Sequence, residues 1–531
     1  MLRRRAHAAL VVATAAVVVA LSGCATPGAD YPRTESTALA QPQQTALGRT
    51  AAARAAAHPG VSGFKLLPSG ADGFALRAQL ADAAERTLDV QYFTFANDDS
   101  GYLLMDAILR AAKRGVRVRL LLDDPQAQAQ ETQIAALSAH QNIEVRLYNP
   151  FAYRGRFAAF RWIELAFSAP RLNHRMHNKL YVIDNAVALA GGRNVGDPYF
   201  ESGKDLQFGD YDVFAIGPAV RELSKSFDEY WNSRLSVPVE ALYGTVPDAT
   251  AVAQFERDLA DHRKESREDG DKLSQHARTG QPLAGLLATN GLVWAKAEVI
   301  YDSPDKADVE SGDAPGLLLR KRLIAAAKDT HKELVVVSPY FVPGAPGEQM
   351  LKSLRERGVR VRVLTNSLAS TDEPIVHAGY QHYRAPLLAE GVELYEVKPL
   401  PGKPQEKGGA LKNPSAGQFA LHAKVFVFDR KKVFVGSANF DRRSFHLNTE
   451  IGLLIDSPEL ARQVVQRFDV ITQPENSYVV TLADPDNPLR VLNWRYTEDG
   501  KSVVATVEPG HDRMRDLRVD LLSLLPLDEL L

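Results

Sequence analysis

His177 and Lys179 stand two residues apart, as do His422 and Lys424, and an Asp follows each lysine by five positions, Asp184 in one case and Asp429 in the other. Seven residues after each Asp a turn opens, Gly191-Gly192-Arg193-Asn194 in the first copy and Gly436-Ser437-Ala438-Asn439 in the second. Two imidazoles and two ammonium groups in matched settings can break and remake a phosphodiester without a metal. One imidazole attacks phosphorus while the other protonates the departing oxygen. Lys179, Lys424, Asn194, Asn439 and Ser437 would neutralise the non-bridging oxygens, and the first copy, with Gly192 in place of Ser437, lacks one hydroxyl donor. A single copy reads better as a buried strand with a hydrogen-bonded histidine; a second copy with the same downstream turn favours chemistry.

The stretches His177–Asp184 and His422–Asp429 are rich in β-branched and aromatic residues and predict strands, whose periodicity would put each His and Lys on one face. An imidazole used in catalysis needs a carboxylate to orient it. Glu450 stands eight residues before Pro458 and Asp210 eight before Pro218, so these two acids correspond, and Asp210 is preferred to Asp212 as the partner of the first histidine. His174, three residues before His177, has no Cys or Glu partner at ligand spacing, so neither a metal nor another cofactor is expected.

The doubled pattern resembles the signature of the phospholipase D superfamily, HxK, four residues, Asp, six residues and a G-[GS]-x-N turn, over most of the chain. The likeness extends to Gly115-Val116-Arg117-Val118-Arg119-Leu120, which recurs as Gly358-Val359-Arg360-Val361-Arg362-Val363 at an offset of 243, against 245 for the histidines. Whole domains are therefore duplicated. Within the superfamily the chain is similar to bacterial cardiolipin synthases of the envelope. That similarity rests on the run from Gly191 to Phe200, on Gly217-Pro218-Ala219-Val220 with Tyr230-Trp231-Asn232, and on His377-Ala378-Gly379-Tyr380 with Tyr383-Arg384.

The resemblance implies an α/β fold of two tandem domains, each a mainly parallel sheet with helices on both faces, related by a pseudo-twofold axis with the active site at their interface. It implies His177 as a nucleophile forming a phosphohistidine, His422 as the acid that later serves as base, and structural roles for Asp184 and Asp429. The reaction implied is transfer of a phosphatidyl group from phosphatidylglycerol or phosphatidylethanolamine to phosphatidylglycerol. Hydrolysis to phosphatidic acid, or a periplasmic phosphodiesterase or nuclease, are the alternatives. With both motifs in one chain, a monomer acting on membrane phospholipids is expected.

The ends and the charge agree with a lipid substrate. Residues 1–23 carry three Arg ahead of an apolar run from Ala8 to Leu21 and end at Leu21-Ser22-Gly23-Cys24, a pattern similar to a lipoprotein signal with Cys24 acylated. Ala25 after that cysteine favours, by resemblance to sorting rules, the outer membrane facing the periplasm. Without that segment the 63 basic residues become 60 against 65 acids, a formal net charge of −5. Proteins that hold nucleic acid usually carry a basic excess, so no nucleic-acid partner is expected.

At 531 residues and 45% apolar content the chain can bury two cores. The organisation read from composition is a signal over 1–23, a flexible tether over 24–60, a first domain over 61–241, a polar connector over 242–295, a second domain over 296–475 and an extension over 476–531. Alternating strands and helices predict mainly parallel sheets. A Gly/Pro/Lys-rich loop over 401–415 would deliver the chain to His422. Ahead of the first motif, Phe151, Tyr153, Phe157, Phe160, Trp162 and Phe167 interleave with Arg154, Arg156 and Arg161, which fits either a lid helix or a segment lying against anionic lipid.

Overall fold

The computed structural model describes residue 28 and residues 30–510, apart from 128–129, 156, 204, 245–246, 269–271, 280–282, 289–290, 307–317, 400–417, 485 and 487–490. The signal segment with Cys24, the whole loop over 401–415 and residues 511–531 of the extension thus lie outside the described residues.

Each half builds the same mixed sheet. In the first, Thr87–Tyr92, Arg117–Asp123 and Ile143–Tyr148 run parallel, the geometry expected where helices such as Asp99–Lys113 make the crossovers. In the second, Glu333–Val337, Arg360–Asn366 and Glu393–Val397 repeat that parallel core. The expectation of a mainly parallel sheet fails beyond this core. The segment after each HxK motif forms a tight hairpin, Leu180–Ile183 with Val187–Gly191 and Val425–Phe428 with Lys432–Gly436, and three residues of turn leave no room for a parallel crossover. Asp212–Ile216 and Ser62–Leu67 extend the first sheet antiparallel, as Ile451–Asp456 and Val293–Tyr301 extend the second.

Those outer strands join the halves. Ser62, Gly63 and Phe64 pair antiparallel with Ala295, Trp294 and Val293, so two equivalent edges close on each other and one sheet of 18 strands results among the described residues. Antiparallel pairing of equivalent strands places a local twofold axis at the join. A core shared by both halves, with Val213, Ala215, Val335, Val425 and Ile451 fully buried, lies beneath it. Each large side chain so buried contributes roughly 1.5–3 kcal/mol, so the halves are held as one unit.

Two stretches differ from the sequence reading. Residues 30–60, expected as a loose tether, lie against the first half. Arg119 and Arg146, buried in parallel strands, donate to the carbonyls of Ser36 and Thr34 at 2.8 Å each, and Ala46–Ala56 is helical. Buried guanidiniums need acceptors, and an apolar-poor strand of backbone supplies them. The polar connector is likewise helical, over Ala249–Glu268, Lys272–Thr279 and Leu283–Ala288, with Phe255, Leu259, Leu273 and Leu287 entering the first core. A few apolar residues at helical spacing suffice to dock a helix that is otherwise charged. In the extension, Leu492–Glu498 and Lys501–Ala505 form an antiparallel pair. Among the described residues no helix is long and apolar enough to cross a membrane.

Candidate active site

Both hairpins are built on the motif aspartates. Asp184 and Asn185 have φ of 52° and 48°, Asp429 and Arg430 of 54° and 55°, so the first two of the three residues in each tight loop lie in the left-handed region, which turns the chain back with the twist of the flanking strands. Asp184 accepts the N–H groups of Glu85, Arg86 and Thr87; Asp429 accepts those of His331, Lys332 and Glu333. Each Asp thereby ties the far end of the HxK hairpin to the start of a core strand.

The HxK triplets themselves sit just before the hairpin strands, not within them, because their backbone bonds to the other half. His177 N–H donates to Thr449 O at 2.9 Å, and Thr449 N–H to Arg175 O at 2.9 Å. His422 N–H donates to Gly209 O at 2.8 Å, continuing the parallel pairing of Gln418–Leu421 with Leu206–Gly209. Thr449 and Gly209 immediately precede Glu450 and Asp210, so each histidine is set beside the acid of the opposite half.

The side chains complete the exchange. His177 Nδ1 lies 2.9 Å and 3.1 Å from the two Glu450 oxygens, and His422 Nδ1 lies 2.7 Å from Asp210 Oδ2. Asp210 therefore partners the second histidine and Glu450 the first, the reverse of a pairing within each copy. Asp212, the alternative, makes an ion pair with Arg77 at 3.0 Å and approaches Arg193 at 3.4 Å, away from either imidazole. With Nδ1 turned to a carboxylate, each Nε2 is left to hold either a lone pair or a proton.

Lys179 Nζ donates to His177 O at 2.7 Å, and Lys424 Nζ donates to His422 O. Burial, and then the two ammonium groups, hold both imidazoles well below their usual value. Burial also depresses Lys179 well below its ordinary value and Lys424 to about 8, with Glu450 and Asp210 respectively opposing it. Glu450 is pushed up to about 7 by burial against the pull of Lys179, and Asp210 is raised for the same reason against Lys424. Each lysine acts on both histidines, so the four groups share one enclosed field.

The turn residues divide. Ser437 Oγ is committed to Glu450 and accepts Ile451 N–H at 3.0 Å, so the hydroxyl expected on a phosphoryl oxygen instead steadies the carboxylate. Asn194 accepts Thr94 N–H at 3.2 Å and donates to Tyr199 OH at 2.9 Å, while Asn439 Oδ1 is buried without a partner among the described residues. His174 Nδ1 donates to Leu447 O at 2.8 Å, outside this cluster.

Aromatic rings wall the imidazoles, and sequence reasoning missed them. Phe93 meets the His177 ring edge-on at 5.2 Å, and Tyr199 and Phe208 stand 5.0 Å and 5.1 Å from His422. Tyr199 lies within the run that carried the family likeness; Phe93 and Phe208 sit in ordinary strand patterns with no signal of their own. Lys306, fully buried, bonds to Asp302 at 2.7 Å and to the Ser444 carbonyl at 3.0 Å behind Glu450, and was equally invisible.

Paired HxK hairpins, crossed carboxylates and a join between duplicated sheets define an enzyme of the phospholipase D-like class. Residues 77–231 and 321–472 both match the family described as "Cardiolipin synthase, PLD-like domain", more than half of the chain, and the protein belongs to that family. It is 38% identical to cardiolipin synthase C of Escherichia coli (strain K12) over 481 residues, 89% of this chain and 97% of that one. Cardiolipin synthase of Geobacillus kaustophilus (strain HTA426) is 27% identical over 76% of this chain and 64% of that one. Among solved structures, phosphatidylserine synthase of Haemophilus influenzae Rd KW20 aligns with a TM-score of 0.50 at 16% identity, covering 78% of this chain and 87% of that one, a likeness of fold.

Proposed function

We propose that the chain is a phosphatidyltransferase making cardiolipin. His177 Nε2 attacks the phosphorus of phosphatidylglycerol or phosphatidylethanolamine, the bond from phosphorus to the headgroup oxygen breaks, and His422 Nε2–H gives its proton to the departing glycerol or ethanolamine. His422 then takes the proton of a phosphatidylglycerol hydroxyl, whose oxygen attacks phosphorus as the phosphorus–nitrogen bond breaks and His177 is regenerated. The observation that carries this reading is the pair of imidazoles in one buried site, each with Nδ1 held by the other half's acid and Nε2 left for phosphorus or a proton. Lys179, Lys424, Asn194 and Asn439 are the phosphoryl-binding groups, with Ser437 acting through Glu450.

The relatives' names, the acidic balance and the lipoprotein-like start support a lipid substrate and an envelope site, anchored through Cys24 at the outer membrane as a monomer. The test is purified protein with labelled phosphatidylglycerol, with and without phosphatidylethanolamine, resolving cardiolipin from phosphatidic acid. Cardiolipin with release of glycerol or ethanolamine is expected. Phosphatidic acid as sole product makes it a hydrolase, and cleavage of DNA without lipid turnover makes it a nuclease. Cys24→Ser should abolish lipid labelling of the protein; retained labelling removes the anchor.

A further inference from the structure

Ala158–Leu172, the helix that leads into His177, is amphipathic in the wrong sense for a lid. Its buried side is polar as far as the kink at Ser168, before Leu172 packs inward: Glu164 accepts the N–H groups of Ala152 and Tyr153 at 2.7 Å and 2.9 Å, and Ser168 is buried as well. Its outward stripe is apolar. Phe160, Ile163 and Phe167 recur at spacings of three and four and are 51%, 42% and 55% exposed, Trp162 beside them is 70% exposed, and Phe157 precedes them at 56%. Five of the ten exposed large hydrophobics among the described residues fall within these eleven positions. Scattered exposed apolar residues are ordinary; a continuous stripe on one helix is not.

We propose that this stripe enters the lipid bilayer and seats the catalytic pocket on its substrate, an inference that rests on the phospholipid reading of the site. Two observations choose a membrane over a second protein. The stretch from Phe151 to Arg175 holds five Arg against one acid, the buried Glu164, in a chain with no basic excess, so its exposed face carries no carboxylate to repel anionic headgroups. The face is also continuous with the active site. Asn149 fastens the helix end through the carbonyls of Arg171 and His174 at 2.9 Å each, Arg443 of the other half donates to Asn173, and His177 follows three residues after His174. Most of the guanidiniums are engaged, Arg154 with Asp124 and Arg171 with Glu164 among them, so apolar insertion supplies the greater part of the binding and salt weakens it little.

Trp162 reports the contact directly. Trp231 and Trp494 are buried and Trp294 is stacked on His58 at 4.1 Å, which leaves Trp162 as the exposed indole. Full-length protein on vesicles of phosphatidylethanolamine and phosphatidylglycerol should show blue-shifted emission quenched by lipids brominated in the upper acyl chain, and Trp162→Phe should remove that signal. The triple variant Phe160→Ser, Ile163→Ser, Phe167→Ser should lose about tenfold or more of its turnover on vesicles, with turnover of monomeric six-carbon-chain phosphatidylglycerol kept within about twofold. Quenching no greater in wild type than in Trp162→Phe overturns the proposal, as does a wild-type dimer that the triple variant converts to monomer. Insertion without any lipid turnover would spare the surface and sink the enzymatic reading; turnover without insertion would do the reverse.

Discussion

The two histidines are steadied by unlike supports. His177 faces a glutamate that Ser437 holds through its hydroxyl; His422 faces an aspartate, one methylene shorter, against a glycine. A Cβ at Gly192 would stand 2.2 Å from Asp210 Oδ1, so the position that carries the hydroxyl in one half must be bare in the other. The residue after next differs in the same way. Asp212 pairs with Arg77 and Arg193 in the first half, whereas Gly452 occupies the equivalent ladder position in the second, where the Phe434 ring fills the space. Duplicated halves can thus keep one geometry while the groups behind each imidazole change only in matched sets.

The largest effects should come from the imidazoles. His177→Ala or His422→Ala should each lower lipid turnover by roughly 10⁴-fold or more. On a nitrophenyl-activated phosphodiester, which needs no acid, His422→Ala should still give a burst of nitrophenol and His177→Ala none; a burst from His177→Ala alone exchanges their roles. Asp212→Asn should cost about 3–5 kcal/mol of stability in denaturant unfolding, since it strands two buried guanidiniums, while Asp210→Asn should lower kcat with a much smaller change in midpoint. Equal loss of stability in both would end the distinction between the two acids. Gly192→Ser should lower kcat about a hundredfold by displacing Asp210, whereas Ser437→Ala, which removes one bond to Glu450, should lower it about tenfold. Similar costs at the two positions would mean that the halves are not supported differently.

The smallest predicted effect is on pH. Lys424 is held down to about 8, so its cation, and the phosphate binding it provides, is present below that pH and lost above it; kcat/KM should fall through about 8. Stability should move oppositely. Between about 8 and the ordinary lysine value the unfolded chain binds this proton and the folded chain does not, so the contribution of Lys424 to stability rises with pH across that window. Glu450, raised to about 7, contributes stability below the ordinary glutamate value that is lost as pH rises through about 7, and Glu450→Gln should flatten that limb. An alkaline loss of kcat/KM that tracks unfolding would refute the Lys424 assignment.

Local pattern made the duplication, the enzyme class and the strand–helix order legible, because HxK, its Asp and its turn are close in sequence and each half repeats them. What could not be read was set by contacts between the halves. The crossing of Asp210 to His422 and Glu450 to His177 depends on backbone pairing of Leu421 with Gly209 and Met176 with Thr449, partners more than two hundred residues apart. The role of Ser437 followed an expectation based on residue type, where geometry gives its hydroxyl to a neighbouring acid. The helical connector and the bound segment over 30–60 were hidden because few apolar residues mark them; buried arginines elsewhere hold the latter.

Exchange of carboxylates across the join has an evolutionary consequence. A single-copy ancestor could work only by meeting its twin, and any change behind one imidazole would then have appeared behind both. With both copies on one chain that constraint is lifted, and the groups behind each imidazole can change separately, as Ser437 and Gly192 have. The cost is that neither fragment of a severed chain retains a finished catalytic unit, and losing either copy disarms the other.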